Sequence, residues 1–435
     1  MFPPSTGIQT FLHSLWTGIP VPQGNLSFHS WILLWIPRFI FPILICILLF
    51  ALLPRFRKSL LFLVSVGALT VFLGARLISL HLIFCLIWFQ ILQWGSRQDS
   101  NSTRRKITWF VLILSNLIYF GLMNFYRMLP RETFPNVKDL GIAYLYWRVI
   151  HVTIDWKKGT FPPLSRLNFL LYLFYFPTMK GGPIQRYQPF MESPFFAGER
   201  WRFTIDSRMS LRVLGGLAKL FVSMQFLSLP YETLWNESGT LPYSILLKIL
   251  YIRAISFYLI ASGSNDLTIM FSKMLGIPLA ENYHYPYFQS NLAHFWKHWH
   301  MTLTSCLGEY IYEPMGGMRR HQYFNYMITF LVCGLWHVTS PAFLIWGLMH
   351  GLGLCGLRVW QGFWKKNVPS FGPWAAPLRL VQQSIRRVPY LSSTLGCVVT
   401  FHFVALSWLP FWGGHPQGTL AMLRVLGLEK IFVWL

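Results

Sequence analysis

The run LISLHLIFCLIWFQILQW (residues 77–94) offers no charge over eighteen positions, and the chain repeats this pattern along its length. Comparable apolar stretches occupy 39–53, 59–74, 107–123, 244–263, 326–336 with 343–357, and 395–412. Crossing about 30 Å of hydrocarbon takes roughly 17–25 residues of helix. In lipid every backbone N–H and C=O has to be satisfied within the protein, which leaves helices and closed barrels. These runs are continuously apolar and do not alternate, so they read as helices. Only 12% of the residues are charged and 54% are hydrophobic, against roughly 25% charged in a soluble domain. The expected fold class is an all-α polytopic membrane protein with about 10–12 transmembrane or re-entrant helices.

The formal net charge of +23 raises the question of nucleic acid. The basic residues, however, form neither one face nor one tail. They fall between the apolar runs, as in PRFRK (54–58) and STRRK (102–106), the pattern of loops facing an anionic cytoplasmic leaflet. Membrane lipid is the expected partner, and nucleic acid is not. The segment 361–390 carries Lys365, Lys366, Arg379, Arg386 and Arg387 and is expected on the cytoplasmic side. The N-terminus lacks the basic region of a signal peptide, so the first apolar helix is expected to act as the insertion signal. Six cysteines lie mostly inside apolar runs without a CxxC pair and read as small core residues. No repeat or soluble block interrupts the pattern, and residues 1–435 read as one membrane domain.

Residues 276–322 break the pattern. They are too polar to span lipid yet rich in Trp, Tyr and His, and include HFWKHWH at 294–300. Such a segment sits at the interface or lines an internal cavity. SNLAHFW reads as a helix start with Ser290 or Asn291 as N-cap. His294 and His298 are then spaced like a zinc pair, but Lys297 stands between them and neither a third ligand nor a general base is evident; no metal is expected. His337 ends an apolar run at membrane depth, where an ionisable residue marks a functional site by default. It lies 37 residues after His300, room for a reversal at Gly316 and Gly317 and a return helix from Tyr323. His350 is a weaker third candidate, as consistent with packing. A histidine in such a cavity suits general-base activation of a hydroxyl that attacks an activated acyl group such as a thioester. Asn265, Asp266, Asn291 and aromatic side chains such as Trp296, Trp299 and Trp336 are candidates to orient the base, bind substrate or stabilise an oxyanion; the residues alone do not choose among them.

The stretch NYHYPYFQSNLAHFWKHWHMTLTSCLGEYIYEPMGG followed by GLWHVTSPAFLIWGLMHG resembles the paired signature of the membrane-bound O-acyltransferases, in particular the bacterial branch that acylates cell-surface polymers. HVTIDWKKG (151–159), FYFPTMKGGPIQRY (174–187) and SGSNDLTIMFSKMLGI (262–277) resemble further blocks of that family in the same order. The resemblance covers residues 140–415 with a catalytic region at 262–351, and residues 1–139 diverge. It implies a ring of helices around a central funnel, with His337 at the family's essential histidine and His300 facing it across a catalytic tunnel. Two departures are visible: Trp336-His337-Val338 replaces Trp-His-Gly, and Gly308-Glu309 stands where Arg-Asp is usual. The function implied is transfer of an acyl group, acetyl foremost, to a hydroxyl of an extracytoplasmic polysaccharide, directly or through a partner protein. The donor expected is acetyl-CoA or an acyl-carrier thioester, with no bound cofactor, in a bacterial plasma membrane. A lipid or protein acceptor is the alternative within enzymes. A proton-coupled transporter or channel is the alternative outside them; it predicts inverted repeats, which the sequence lacks.

Overall fold

The apolar runs fold as helices because a backbone without water must bond to itself. The computed structural model describes residues 40–96, 103–128, 141–159, 165–179, 181–227, 243–337, 339–365 and 391–413. Among these residues there is no β-strand, only an isolated antiparallel bridge between Tyr283 and Trp299. Among the described residues five helices are long and apolar enough to cross a membrane, namely those containing Ala75–Ser96, Thr103–Asn124, Leu247–Met274, Pro341–Gly362 and Leu391–Pro410. Their outward faces remain apolar: Ile87 is 57% and Phe110 67% exposed, a surface that suits acyl chains and would be unusual in water. The cysteines are all free.

The chain divides into two compact units. The first is built from α1 (Phe41–Leu52), α2 (Arg57–Leu73), α3 (Ala75–Ser96), α4 (Thr103–Met128), α5 (Gly141–Lys158), α6 (Arg166–Phe174), α7 (Tyr187–Met191), α8 (Pro194–Ala197) and α9 (Ser207–Phe226). Residues from Leu259 onward in the long helix α10 (Tyr243–Met274) complete it. Its core holds polar groups that bond between elements. The buried Arg148 of α5 donates to the carbonyls of Tyr172 and Leu173 at 2.9 Å each and to Thr178 Oγ1, satisfying acceptors that the end of α6 leaves open. His151 Nε2 accepts from the Tyr187 backbone N–H at 3.1 Å. Its Nδ1 therefore carries the proton and donates to Tyr172 Oη at 3.1 Å, which in turn donates to the Gln185 carbonyl at 2.6 Å.

The second unit contains the first half of α10, then α11 (Leu292–His298), α12 (Met301–Leu307), α13 (Gln322–His337), α14 (Pro341–Lys365) and α15 (Leu391–Gly413). A π turn, Gly308–Tyr312, extends α12. The chain then reverses through Gly316 (φ 103°) and Gly317 (φ 55°), where only glycine is unstrained, and returns as α13. The pair α13 and α14 packs backbone to backbone. A Cβ on Gly347 would lie 2.5 Å from the Phe330 carbonyl oxygen, and one on Gly334 would clash with that of Phe343. Small residues at such contacts are how membrane helices approach closely. Residues 366–390, including Lys366, Arg379, Arg386 and Arg387, lie outside the described residues, as does the N-terminal segment before residue 40.

Candidate active site

The polar aromatic segment forms two seven-residue helices with a sharp break between them. Asn291 caps α11 by accepting the His294 N–H at 2.9 Å. At the break His300 adopts φ 44°, ψ 53°, a left-handed conformation uncommon for a residue with a Cβ and often found where function imposes strain. Backbone bonds hold it there: His284 N–H to the His298 carbonyl at 3.0 Å and Met301 N–H to the Asn282 carbonyl at 2.9 Å.

Asn282, fully buried, fixes the imidazole as well. Its Oδ1 accepts from Thr302 N–H at 3.2 Å and from Thr302 Oγ1 at 2.9 Å, and it lies 3.2 Å from His300 Nδ1. An oxygen that accepts two protons already is an acceptor for the third contact, so His300 Nδ1 carries the proton and Nε2 carries the lone pair. Burial holds the His300 pKa down at about 4, so the ring is neutral at pH 7.

His337 is the last residue of α13 and is half-buried. Its ring centroid lies 4.5 Å from Trp336, 5.9 Å from Phe343 and 5.6 Å from Trp346. Trp336 also lies 6.3 Å from His300. One indole thus touches both imidazoles, and the two rings are no farther apart than those two centroid distances placed end to end.

The remaining sequence candidates have other partners. His350 is fully buried; Nδ1 accepts the Trp296 indole N–H at 3.2 Å and Nε2 donates to Ser407 Oγ at 2.9 Å. Both nitrogens and the Trp296 indole are therefore spent on the helix contact. Trp299 stacks among Phe257, Tyr283, Tyr287, Phe295 and Trp408. His298 Nδ1 bonds the His294 carbonyl at 2.8 Å and its ring stacks on His284 at 5.6 Å. Among the described residues no group of three His, Cys, Asp or Glu side chains could hold a metal ion. Asn265 and Asp266 belong to the first unit. There Asn265 donates to the carbonyls of Gly181 and Ala261 at 2.9 Å each, while Asp266 accepts from Arg212 at 2.8 Å and Lys219 at 2.6 Å. Asn282 is not among the asparagines the sequence singles out, yet its Oδ1 is the one 3.2 Å from His300 Nδ1.

The family model for membrane-bound O-acyltransferases matches residues 59–374. The chain is 26% identical over 285 residues to a probable alginate O-acetylase of Pseudomonas aeruginosa, covering 64% of this chain and 49% of that protein. It is 24% identical over 351 residues to a teichoic acid D-alanyltransferase of Streptococcus thermophilus, covering 77% and 82%. A peptidoglycan O-acetyltransferase of Helicobacter pylori is 26% identical over 275 residues, covering 61% and 47%. The chain thus spans about half the length of the two acetylases and most of the D-alanyltransferase. With its spanning helices and a match over most of its length, the chain belongs to the membrane-bound O-acyltransferase family.

Proposed function

We propose that the protein transfers an acyl group, acetyl foremost, from a thioester donor to a hydroxyl of an extracytoplasmic polymer, directly or through a partner protein. The observation that carries this reading is the shared contact of His300 and His337 with Trp336. It brings together two histidines, one of them in a fixed tautomer. Relatives named for acetylation of alginate and peptidoglycan and for D-alanylation of teichoic acid support the acceptor class.

In this reading His337 takes the hydroxyl proton as the oxygen attacks the thioester carbonyl. The positive charge that develops on its ring sits at the C-terminal end of α13, where the helix dipole favours cations. The tetrahedral intermediate expels a thiolate, the proton returns from His337 to sulfur, and the imidazole is neutral again. His300, neutral with its lone pair at Nε2, accepts a hydrogen bond from a neighbouring hydroxyl of the acceptor polymer and so orients the attacking one, whose single proton goes to His337. Acetyl-CoA and acyl-carrier thioesters are both compatible donors.

The test is a transfer assay on purified protein with labelled acetyl-CoA and, separately, a labelled acyl-carrier thioester, followed by product analysis. Acyl transfer lost in His337→Ala supports the reading. Proton-coupled solute flux in liposomes without acyl transfer would replace it with the transporter alternative.

A further inference from the structure

We propose that the adjoining ends of α3, α4 and α5, in the first unit, bind the phosphate headgroup of an anionic phospholipid. The end of α3, the start of α4 and the end of α5 meet at one level. Trp156 of α5 donates from its indole to Ser96 Oγ of α3 at 2.7 Å, and Arg105 of α4 donates to the Trp156 carbonyl at 2.9 Å. Gly95 lies so close to Thr108 and Trp156 that an added Cβ would sit 2.5 Å from Thr108 Cγ2 and 2.7 Å from the indole. These contacts tie the three helix ends together.

That frame concentrates positive charge. Arg104, Arg105 and Lys106 open α4, and Lys157 and Lys158 close α5, while Asp155 is the one acidic residue in the three helices. The connecting stretch 97–102 adds Arg97 and Asp99, which cancel. Three of the cations lie on tryptophans: Arg104 is 4.3 Å from the Trp94 ring, Arg105 4.9 Å from that of Trp156 and Lys157 5.5 Å from that of Trp109. The Arg104 Nε is buried and has no hydrogen-bond partner among the described residues.

A groove adjoins this charge. It is about 370 Å³ and is lined by Gln90, Ile91, Gln93 and Trp94, so the ring beneath Arg104 is also a wall of the groove. Its amides can donate to phosphate or glycerol oxygens. Below it, at helical spacing from Trp94 and Gln90 along α3, run Ile87 and Ile83, both more than half exposed, a track for an acyl chain. Tryptophans with basic residues at one level mark a membrane–water interface. A free phosphate would use the cations and have no use for the apolar stripe, so the occupant that fits the whole surface is a lipid.

The experiment is native mass spectrometry of the full-length protein released from detergent after equilibration with equal amounts of phosphatidylglycerol and phosphatidylethanolamine. Phosphatidylglycerol should be retained preferentially, less so as salt is raised. Arg104→Gln with Lys106→Gln should weaken that retention roughly 10- to 30-fold at low salt. The charge-matched control Arg200→Gln with Arg202→Gln, at exposed positions outside the cluster, should behave as wild type. Equal retention of both lipids, no dependence on salt, equal loss in the control, or displacement by glycerophosphate at the lipid's own concentration would each overturn the proposal. The wild-type salt and competition measurements decide it even if the double variant fails to fold.

Discussion

Replacing Asn282 by Asp is the sharpest probe of the proposed site, because it places a negative charge beside His300 and keeps a side-chain oxygen in position, at the loss of the amide donor. The aspartate keeps an oxygen for Thr302 N–H, Thr302 Oγ1 and His300 Nδ1, but now holds a negative charge near an imidazole whose pKa is about 4 in the native protein. At an effective dielectric of about 20, a carboxylate about 4–5 Å from the imidazolium charge favours it by about 3–4 kcal/mol, or roughly two to three pKa units. The His300 pKa in the variant should therefore rise to about 6–7. Above that value Nε2 still carries a lone pair and transfer should be close to that of wild type. Below it Nε2 is protonated and can no longer accept from a hydroxyl. The ratio of variant to wild-type transfer should stay near one at pH 8.5, fall by half near the new pKa, and drop roughly tenfold for each further pH unit. The assay is acyl transfer in isolated membranes from pH 5.5 to 9, with whichever thioester supports the wild type, normalised to protein abundance. A ratio that stays flat across this range at normal abundance would refute the neutral-acceptor role of His300.

Four further outcomes are expected. His337→Ala should leave abundance unchanged and lower transfer by roughly 10²-fold or more, as loss of a general base does; near-normal transfer in membranes would reject the assignment. If His300 and His337 act as a unit, the double alanine variant should lose far less than the product of the single losses, which single-turnover rates of all four proteins can measure. Because the native pKa of His300 lies below its unfolded value of 6.5, its contribution to stability is intact above pH 6.5 and is lost as pH falls towards 4. Thermal unfolding in detergent should show that acid loss, and His300→Gln should reduce it. Gly347→Ala should cost about 1–3 kcal/mol through overpacking against the Phe330 carbonyl, read as a lower unfolding midpoint, whereas Gly356→Ala, where a Cβ meets nothing within 4 Å, should be neutral.

The helical membrane architecture is legible in the sequence because lipid leaves the backbone few options, so hydrophobic run length alone carries it. The reversal at Gly316–Gly317 is legible for a similar reason: few residues tolerate positive φ, and two adjacent glycines between helical stretches announce the turn. The placement of polar side chains is less so. The cap of α11 reads from the sequence as Ser290 or Asn291, and Asn291 fills it, because capping depends on neighbours three residues away. The partnership of Asn282 and His300 joins residues eighteen apart across a loop, and no helical or strand period links them. The one available signal is compositional, an asparagine inside the segment that is too polar to span and too aromatic to be an ordinary loop.

A histidine buried in a membrane protein is informative only once its two nitrogens are accounted for. His151 and His350 illustrate the structural use. In each, one nitrogen accepts from an N–H, fixing the tautomer, and the other donates to a hydroxyl whose own proton goes to a backbone carbonyl. Every polar atom in those chains bonds to the protein itself, so removing the ring leaves buried donors unsatisfied at about 1–3 kcal/mol each. Such a residue is costly to lose whether or not it meets a substrate. His300 differs in its backbone: it is held at φ 44° by bonds on both sides of the helix break. The strained residue whose ring touches the same indole as His337 is therefore the position where a substitution should alter transfer before it alters stability, and it is there that abundance and activity should part.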